Sequence, residues 1–131
     1  MNDQLIQAMI QKHLLVIRPE HLNHRGHLFG GLMMSWADEQ VYITATLAYP
    51  KANFVTRLFK EFNFHTPAEL GNIIEIQSRI VHTGTTSCIV RVAAQNLTLG
   101  REVFSTEAVM VNVQEGKKAP LRPGRGKKNS G

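Results

Sequence analysis

Residues 23–49, NHRGHLFGGLMMSWADEQVYITATLAY, carry a polar, glycine-containing loop straight into a long apolar segment. From residue 28 to 48 there is no proline, and polarity is confined to Asp38, Glu39, Gln40 and small hydroxyl side chains. That pattern predicts a helix apolar on nearly every face, and hence buried. Gly30 and Gly31 fall in its first turn, where each costs about 0.5–1 kcal/mol relative to alanine. Asp38 lies one to two turns in, with Met34, Ser35, Val41 and Tyr42 at its i±3 and i±4 positions, so its carboxylate is expected to be partly desolvated. A carboxylate in that setting has to be paired or used.

The first helical turn offers backbone N–H groups without partners and, at two glycines, without side chains in the way. Amides of that kind, with a carboxylate about two turns further on, suit polarising a carbonyl and attacking it, or activating water against it. Each feature alone also has a structural reading. Paired glycines admit a closely packed backbone, and a mid-helix Asp serves as a surface or ion-pair residue.

On the N-terminal side, residues 1–12 predict a short leading helix or arm, and residues 14–18 a first strand ended by Pro19. The loop that follows holds His21, His24 and His27 at a spacing of three. No common zinc motif has that spacing, and no second Cys or His cluster follows, so no metal is expected. On the C-terminal side, Pro50 marks a turn, and residues 53–64 predict a strand with room for a bulge around Arg57. Ile74, Ile76, Ser78 and Ile80 alternate with polar neighbours, as do Cys88, Val90, Val92 and Ala94, and the chain returns through Gly100 into a last strand over 102–113. One helix and three long strands with short links predict an antiparallel meander, a half-covered sheet curling round one buried helix, in the α+β class. Cys88 falls on the apolar side of its strand and is expected in the core rather than as a nucleophile.

The 131 residues fit one domain, and the single cysteine permits no internal disulfide. No apolar run is long enough to span a membrane and the N-terminus lacks a signal-peptide layout, so a cytoplasmic location is expected. The formal charge of +5 belongs to residues 117–131, KKAPLRPGRGKKNSG, which hold six Lys or Arg and no acid. The division expected is therefore a folded unit over 1–116 and a disordered basic tail over 117–131. Without interleaved aromatics, that tail supplies at most non-specific attraction to nucleic acid, and no specific nucleic-acid role is expected.

Several separated motifs carry a family resemblance. Asn23-His24-Arg25-Gly26-His27-Leu28-Phe29-Gly30-Gly31, then Met33-Met34-Ser35-Trp36-Ala37-Asp38-Glu39, then Phe64 and Pro67 with Leu70-Gly71-Asn72, and finally Thr83-Gly84-Thr85-Thr86-Ser87, resemble in order the signature elements of the hotdog-fold acyl-CoA thioesterases, in the YciA and cytosolic acyl-CoA hydrolase branch. The resemblance covers roughly residues 14–113. Two departures stand out: His21 lies where many relatives carry an Asp, and Asn72 replaces an acidic residue after the glycine.

The resemblance implies the hotdog fold, a curved antiparallel sheet wrapped round a central helix. It also implies active sites between subunits of a dimer or trimer of dimers, with Asp38 catalytic and Asn23 meeting it across the interface. The expected reaction is hydrolysis of an acyl-CoA thioester, its carbonyl polarised by the amides of Gly30 and Gly31. Asp38 would be general base or nucleophile, and no cofactor is needed, since coenzyme A is part of substrate and product. The 83–87 turn (Thr83, Gly84, Thr85, Thr86, Ser87) and the cations Arg57, Lys60, Arg79 and Arg91 are candidates for the pantetheine and phosphate end. Depth of the acyl pocket would depend on how Trp36, Met33 and Met34 meet their symmetry mates. Two other readings belong to different classes: a non-catalytic acyl-CoA-binding regulatory module, which does not need Asp38, and a hydratase, whose His and Asp pair the residues after Phe29 do not supply.

Overall fold

The computed structural model describes residues 3–122. A short helix α1 (Asp3–Ala8) leads into the edge strand β1 (Gln11–Val16), and one 3-10 turn (Pro19–His21) opens the loop before the long helix α2 (Gly30–Ala48). The remainder is strand: β2 (Phe54–Phe59), β3 (Asn63–Phe64), β4 (Ile73–Thr83), β5 (Ser87–Asn96), β6 (Arg101–Gln114) and β7 (Lys117–Lys118). They form one antiparallel sheet in the order β1-β4-β5-β6-β2, with β3 and β7 each pairing β6. The meander β4-β5-β6 is the predicted one, and the sheet wraps α2 as the hotdog arrangement requires.

Alternation decides which face of the meander packs on the helix. Ile74, Ile76 and Ile80 of β4, Cys88, Val90, Val92 and Ala94 of β5, and Phe104, Ala108 and Met110 of β6 are all buried in one cluster. Against them α2 sets Met33, Ala37, Val41, Ala45 and Ala48, a stripe at helical spacing whose small residues let helix and sheet approach closely. Thr44 Oγ1 and Ser78 Oγ, 2.6 Å apart, tie the helix to β4 through a buried hydroxyl pair.

Three sequence expectations are revised, and one within them holds. The helix is buried on that stripe only; Met34 and Tyr42 to one side of it and Leu47 to the other are 45%, 50% and 51% exposed. The first strand begins at Gln11 and ends at Val16, before Pro19 is reached. The strand expected over 53–64 divides in two, because Phe62 turns inward to stack on Phe104 at a centroid distance of 5.2 Å. Its predicted bulge is present: Thr56 pairs Met110 and Leu58 pairs Val109, which leaves Arg57 unpaired.

The boundary expected at Gly116 also moves. Glu115 and Gly116, with φ of 53° and 77°, make a two-residue hairpin turn of the left-handed kind that matches strand twist. The turn sends Lys117 and Lys118 back along β6. Beyond them, Asn112 Nδ2 donates to the carbonyls of Ala119 and Pro120, and the Leu121 amide donates to Thr85 O at 2.8 Å. Leu121 also packs on the core. The first six residues assigned to a disordered tail are thus a strap held by backbone and amide hydrogen bonds and by the one apolar side chain of Leu121. Residues 123–131 of the expected tail lie outside the described residues.

Candidate active site

Helix α2 begins without a side-chain cap, because the N-cap residue is Phe29. The Phe29 carbonyl accepts from the amides of Leu32 and Met33, both at 3.1 Å, while the amides of Gly30 and Gly31 have no acceptor among the described residues. Two N–H groups at the positive end of a 19-residue helix are therefore left pointing outward. The glycines matter for the walls around them. A Cβ on Gly31 would lie 2.7 Å from Phe29 Cε2, and one on Gly30 would lie 3.6 Å from the Phe64 ring. Both phenylalanines are more than half exposed and flank the amides.

Beside these amides opens a cleft of about 310 Å³, lined by Asn23, His27, Gly30, Met33, Phe64 and His65 among others. Asn23 Oδ1 accepts from the amides of Arg25 at 2.8 Å and His27 at 3.1 Å. Those bonds fix the plane of the Asn23 amide and leave its Nδ2 without a partner among the described residues, a donor available to a ligand in the cleft. Asn23 and Gly30 are thus brought together within one chain.

Asp38 is placed otherwise. It is exposed, not partly desolvated as the sequence suggested, and it does not line that cleft. The reason is the one-sided burial of α2: Asp38 stands on the outer stripe, one turn from Met34 on one side and from Tyr42 on the other. Thr56 Oγ1 donates to Asp38 Oδ1 at 3.0 Å, which anchors one carboxylate oxygen to β2 and leaves the other open. Sequence reasoning missed Thr56, since nothing local marks a strand hydroxyl that faces a helix eighteen residues earlier.

The 83–87 turn lies at the opposite end of the helix. Tyr49, the C-cap residue, reaches Thr83 Oγ1 with its hydroxyl at 3.3 Å. A 19-residue helix is about 28 Å long, so this turn and the amides of Gly30 and Gly31 do not share a cleft within one protomer. Nor do the candidate cations gather at the site. Arg79 and Arg91 face each other across β4 and β5. Arg91 and Lys60 both reach Glu107, at 3.9 and 3.8 Å, and Arg57 sits on the β2 bulge.

The histidines find local partners. His21 Nδ1 accepts from the Arg18 amide, and its ring meets Trp36 edge-on. His27 lies 3.6 Å from Glu69, while His65 Nε2 is 2.9 Å from Ser105 Oγ and 3.2 Å from Glu102. Since both partners of His65 share one ring nitrogen, the trio is not a nucleophile relay, which needs hydroxyl and acid on opposite nitrogens. Among the described residues no group of three or more His, Cys, Asp or Glu is placed to hold a metal. Burial pushes the Cys88 thiol up to about 12, which keeps it neutral and unreactive in the core. Asn72, where the family motif has an acid, accepts from the Glu69 amide and from Asn96 Nδ2, both at 2.9 Å; the amide pair is a buried structural brace.

Known proteins bear on this geometry. Over 78 residues the chain is 28% identical to an uncharacterized acyl-CoA thioester hydrolase of Zymomonas mobilis; the matched stretch is 60% of this chain and about half, 52%, of that protein. Among solved structures, an apo-hexameric acyl-CoA thioesterase superposes with a TM-score of 0.76 at 28% identity, covering 91% of this chain and 79% of its own. A Staphylococcus aureus acyl-CoA hydrolase, solved with butyryl coenzyme A and coenzyme A, gives 0.79 at 22% identity over 92% of this chain and 73% of its own, a likeness of fold. The model of one family matches residues 25–116, which takes in the uncapped helix, Asp38 and the whole meander, and by that match the chain belongs to the thioesterase superfamily.

Proposed function

We propose that this protein hydrolyses acyl-CoA thioesters to a carboxylic acid and coenzyme A, at sites completed by a second copy of the chain. The observation that carries the reading is the uncapped start of α2, where Gly30, its free amide next to that of Gly31, lines a cleft that Asn23 also lines. The thioester carbonyl takes its place against those donors, and the negative charge that develops on its oxygen meets fixed dipoles that need no reorganisation. Asp38, held at one oxygen by Thr56, either removes a proton from the attacking water or attacks the carbonyl carbon itself. Collapse of the tetrahedral intermediate expels the coenzyme A thiolate. Water then cleaves the anhydride if the carboxylate was the nucleophile.

Self-association follows from what the protomer leaves bare. β2 is an edge strand, and on its helix side Thr56 stands beside the outer stripe of α2, where Met34 and Tyr42 are 45% and 50% exposed. A two-fold contact through β2 would cover that face and enclose Asp38 between protomers. Strands paired antiparallel also set the two helices end for end, so each Asp38 approaches the partner's loop at Asn23. The assembled relative is described as hexameric, in keeping with such dimers associating further.

Release of free thiol from a panel of acyl-CoAs, followed in the wild type and in Asp38→Ala, tests the reaction. Turnover that vanishes in the variant supports the hydrolase. Tight binding of acyl-CoA with no turnover in the wild type would instead make the protein a binding module.

A further inference from the structure

The geometry points to a phosphate-binding subsite at the C-terminal strap, in which Lys51 and Arg122 hold the phosphorylated nucleoside end of coenzyme A; it rests on the acyl-CoA reading and replaces the outer-face cations in that role. The strap from Lys117 to Arg122 and the turn after α2 enclose a cavity of about 310 Å³, lined by Lys51, Ala52, Asn112, Gln114, Ala119, Pro120 and Arg122. That volume is at the lower end of small-ligand sites.

Charge sets this cavity apart from the other cation-bearing places. Lys60 and Arg91 both have an acidic partner, the shared carboxylate of Glu107 on the outer sheet face. Lys51 and Arg122 have no acidic partner among the described residues. Two unpaired cations facing one cavity repel each other, a cost that a bound anion removes. The amide walls do not compete for that anion. Asn112 spends its Nδ2 on Ala119 and Pro120 and its Oδ1 on the amide of Asn53 and on Gln114, so it shapes the cavity and leaves ligation to the cations.

Location argues the same way. Leu121 donates to Thr85 O, so Arg122 follows directly on the residue docked to the hydroxyl turn, where Thr85 is exposed. Cations, a free hydroxyl and the short apolar wall of Ala52, Ala119 and Pro120 match a phosphorylated nucleoside better than an acyl chain. Within one protomer this place and the Gly30 and Gly31 amides are at opposite ends of α2. Pairing through β2 reverses the partner helix and carries the strap of one protomer toward the amides of the other. The phosphate end is then held by one copy while its thioester is polarised by the second.

The test pairs binding with truncated substrate. Calorimetry with coenzyme A and with adenosine 3′,5′-bisphosphate would be run on the wild type, on the double variant Lys51→Glu/Arg122→Glu, and on Lys12→Glu as a charge reversal elsewhere. Thermal unfolding checks that each is folded, and Lys51→Ala/Arg122→Ala replaces the double variant should the acids prevent folding. The double variant is expected to bind the bisphosphate at least tenfold more weakly and to raise KM for an acyl-CoA with kcat little changed. Its kcat/KM on the corresponding S-acyl-N-acetylcysteamine, which lacks the phosphates, should stay within twofold, and Lys12→Glu should match the wild type throughout. Bisphosphate affinity within twofold of wild type in the double variant overturns the subsite, as does an equal loss on both thioesters or a wild type that binds neither nucleotide. Wild-type binding that is lost in the double variant, without hydrolysis of any acyl-CoA, would uphold the subsite and remove the hydrolase reading.

Discussion

The two faces of α2 are built from similar residues and meet opposite fates. Ala37, Val41 and Ala45 on the inner stripe are fully buried against the sheet, while Met34 and Tyr42 on the outer stripe stand about half exposed. Apolar composition alone therefore says that a helix face is to be covered, and leaves open which chain covers it. The inner face is closed by the chain's own meander. The outer face carries Asp38 and Thr56 among apolar neighbours, an expensive surface for a monomer and an economical one for the middle of a pair. Changes on the two faces should consequently fail in different ways.

The largest effect is expected on the outer face at Asp38. Replacing it with Ala should lower kcat by about 10²- to 10⁴-fold, the usual worth of a positioned acid–base group, with thermal stability nearly unchanged because the side chain is exposed. Full turnover in Asp38→Ala would separate this face from the chemistry altogether. Next comes the pairing itself. Tyr42→Glu puts a charge on the apolar outer stripe, close to Asp38, and should shift the protein toward monomer in analytical ultracentrifugation, with activity falling at least tenfold. A fully active monomer would show that the site is complete within one protomer. On the inner face, Val41→Ala should cost about 2 kcal/mol of stability in a denaturant titration through the cavity it leaves, while kcat stays within a fewfold of wild type. If Val41→Ala instead lost activity and kept its stability, the two faces would have been assigned the wrong way round.

Much of this was legible before any coordinates. Periodicity placed α2 and the meander, since strict alternation over β4 to β6 and the absence of proline from 28 to 48 leave little choice. Paired glycines after Phe29 announced an uncapped helix start, because no residue there can supply a side-chain oxygen. Three things were not legible, each because it depends on distance in space. The one-sided burial of α2 comes from a sheet that wraps only part of its circumference. Thr56 beside Asp38 comes from the path of β2, and the strap comes from a turn whose two left-handed residues count for more than the Lys, Pro and Gly around them. Charge depends on distance in the same way: Lys60 and Arg91 stand apart in the sequence, and Glu107 reaches both only in the folded sheet.

The smallest expected effect is also the most discriminating, because it concerns the single polar bond that joins α2 to β2 on the outer face. Thr56→Val keeps the shape of the strand residue and removes the hydroxyl that donates to Asp38 Oδ1. If the bond serves only to hold the two elements together, its loss should appear as a stability change of about 1 kcal/mol or less, with kcat unaltered, since the pair is accessible to water in the protomer. If it orients a working carboxylate, kcat should drop about tenfold at constant stability, and the fall should disappear in the Asp38→Ala background, where no carboxylate remains to be oriented. Thr56→Ser, which keeps the donor on the β2 strand, should recover most of the rate. The second pattern is the one expected, for Oδ1 is held from the strand while the other oxygen stays free toward the side where a partner protomer would bring its cleft.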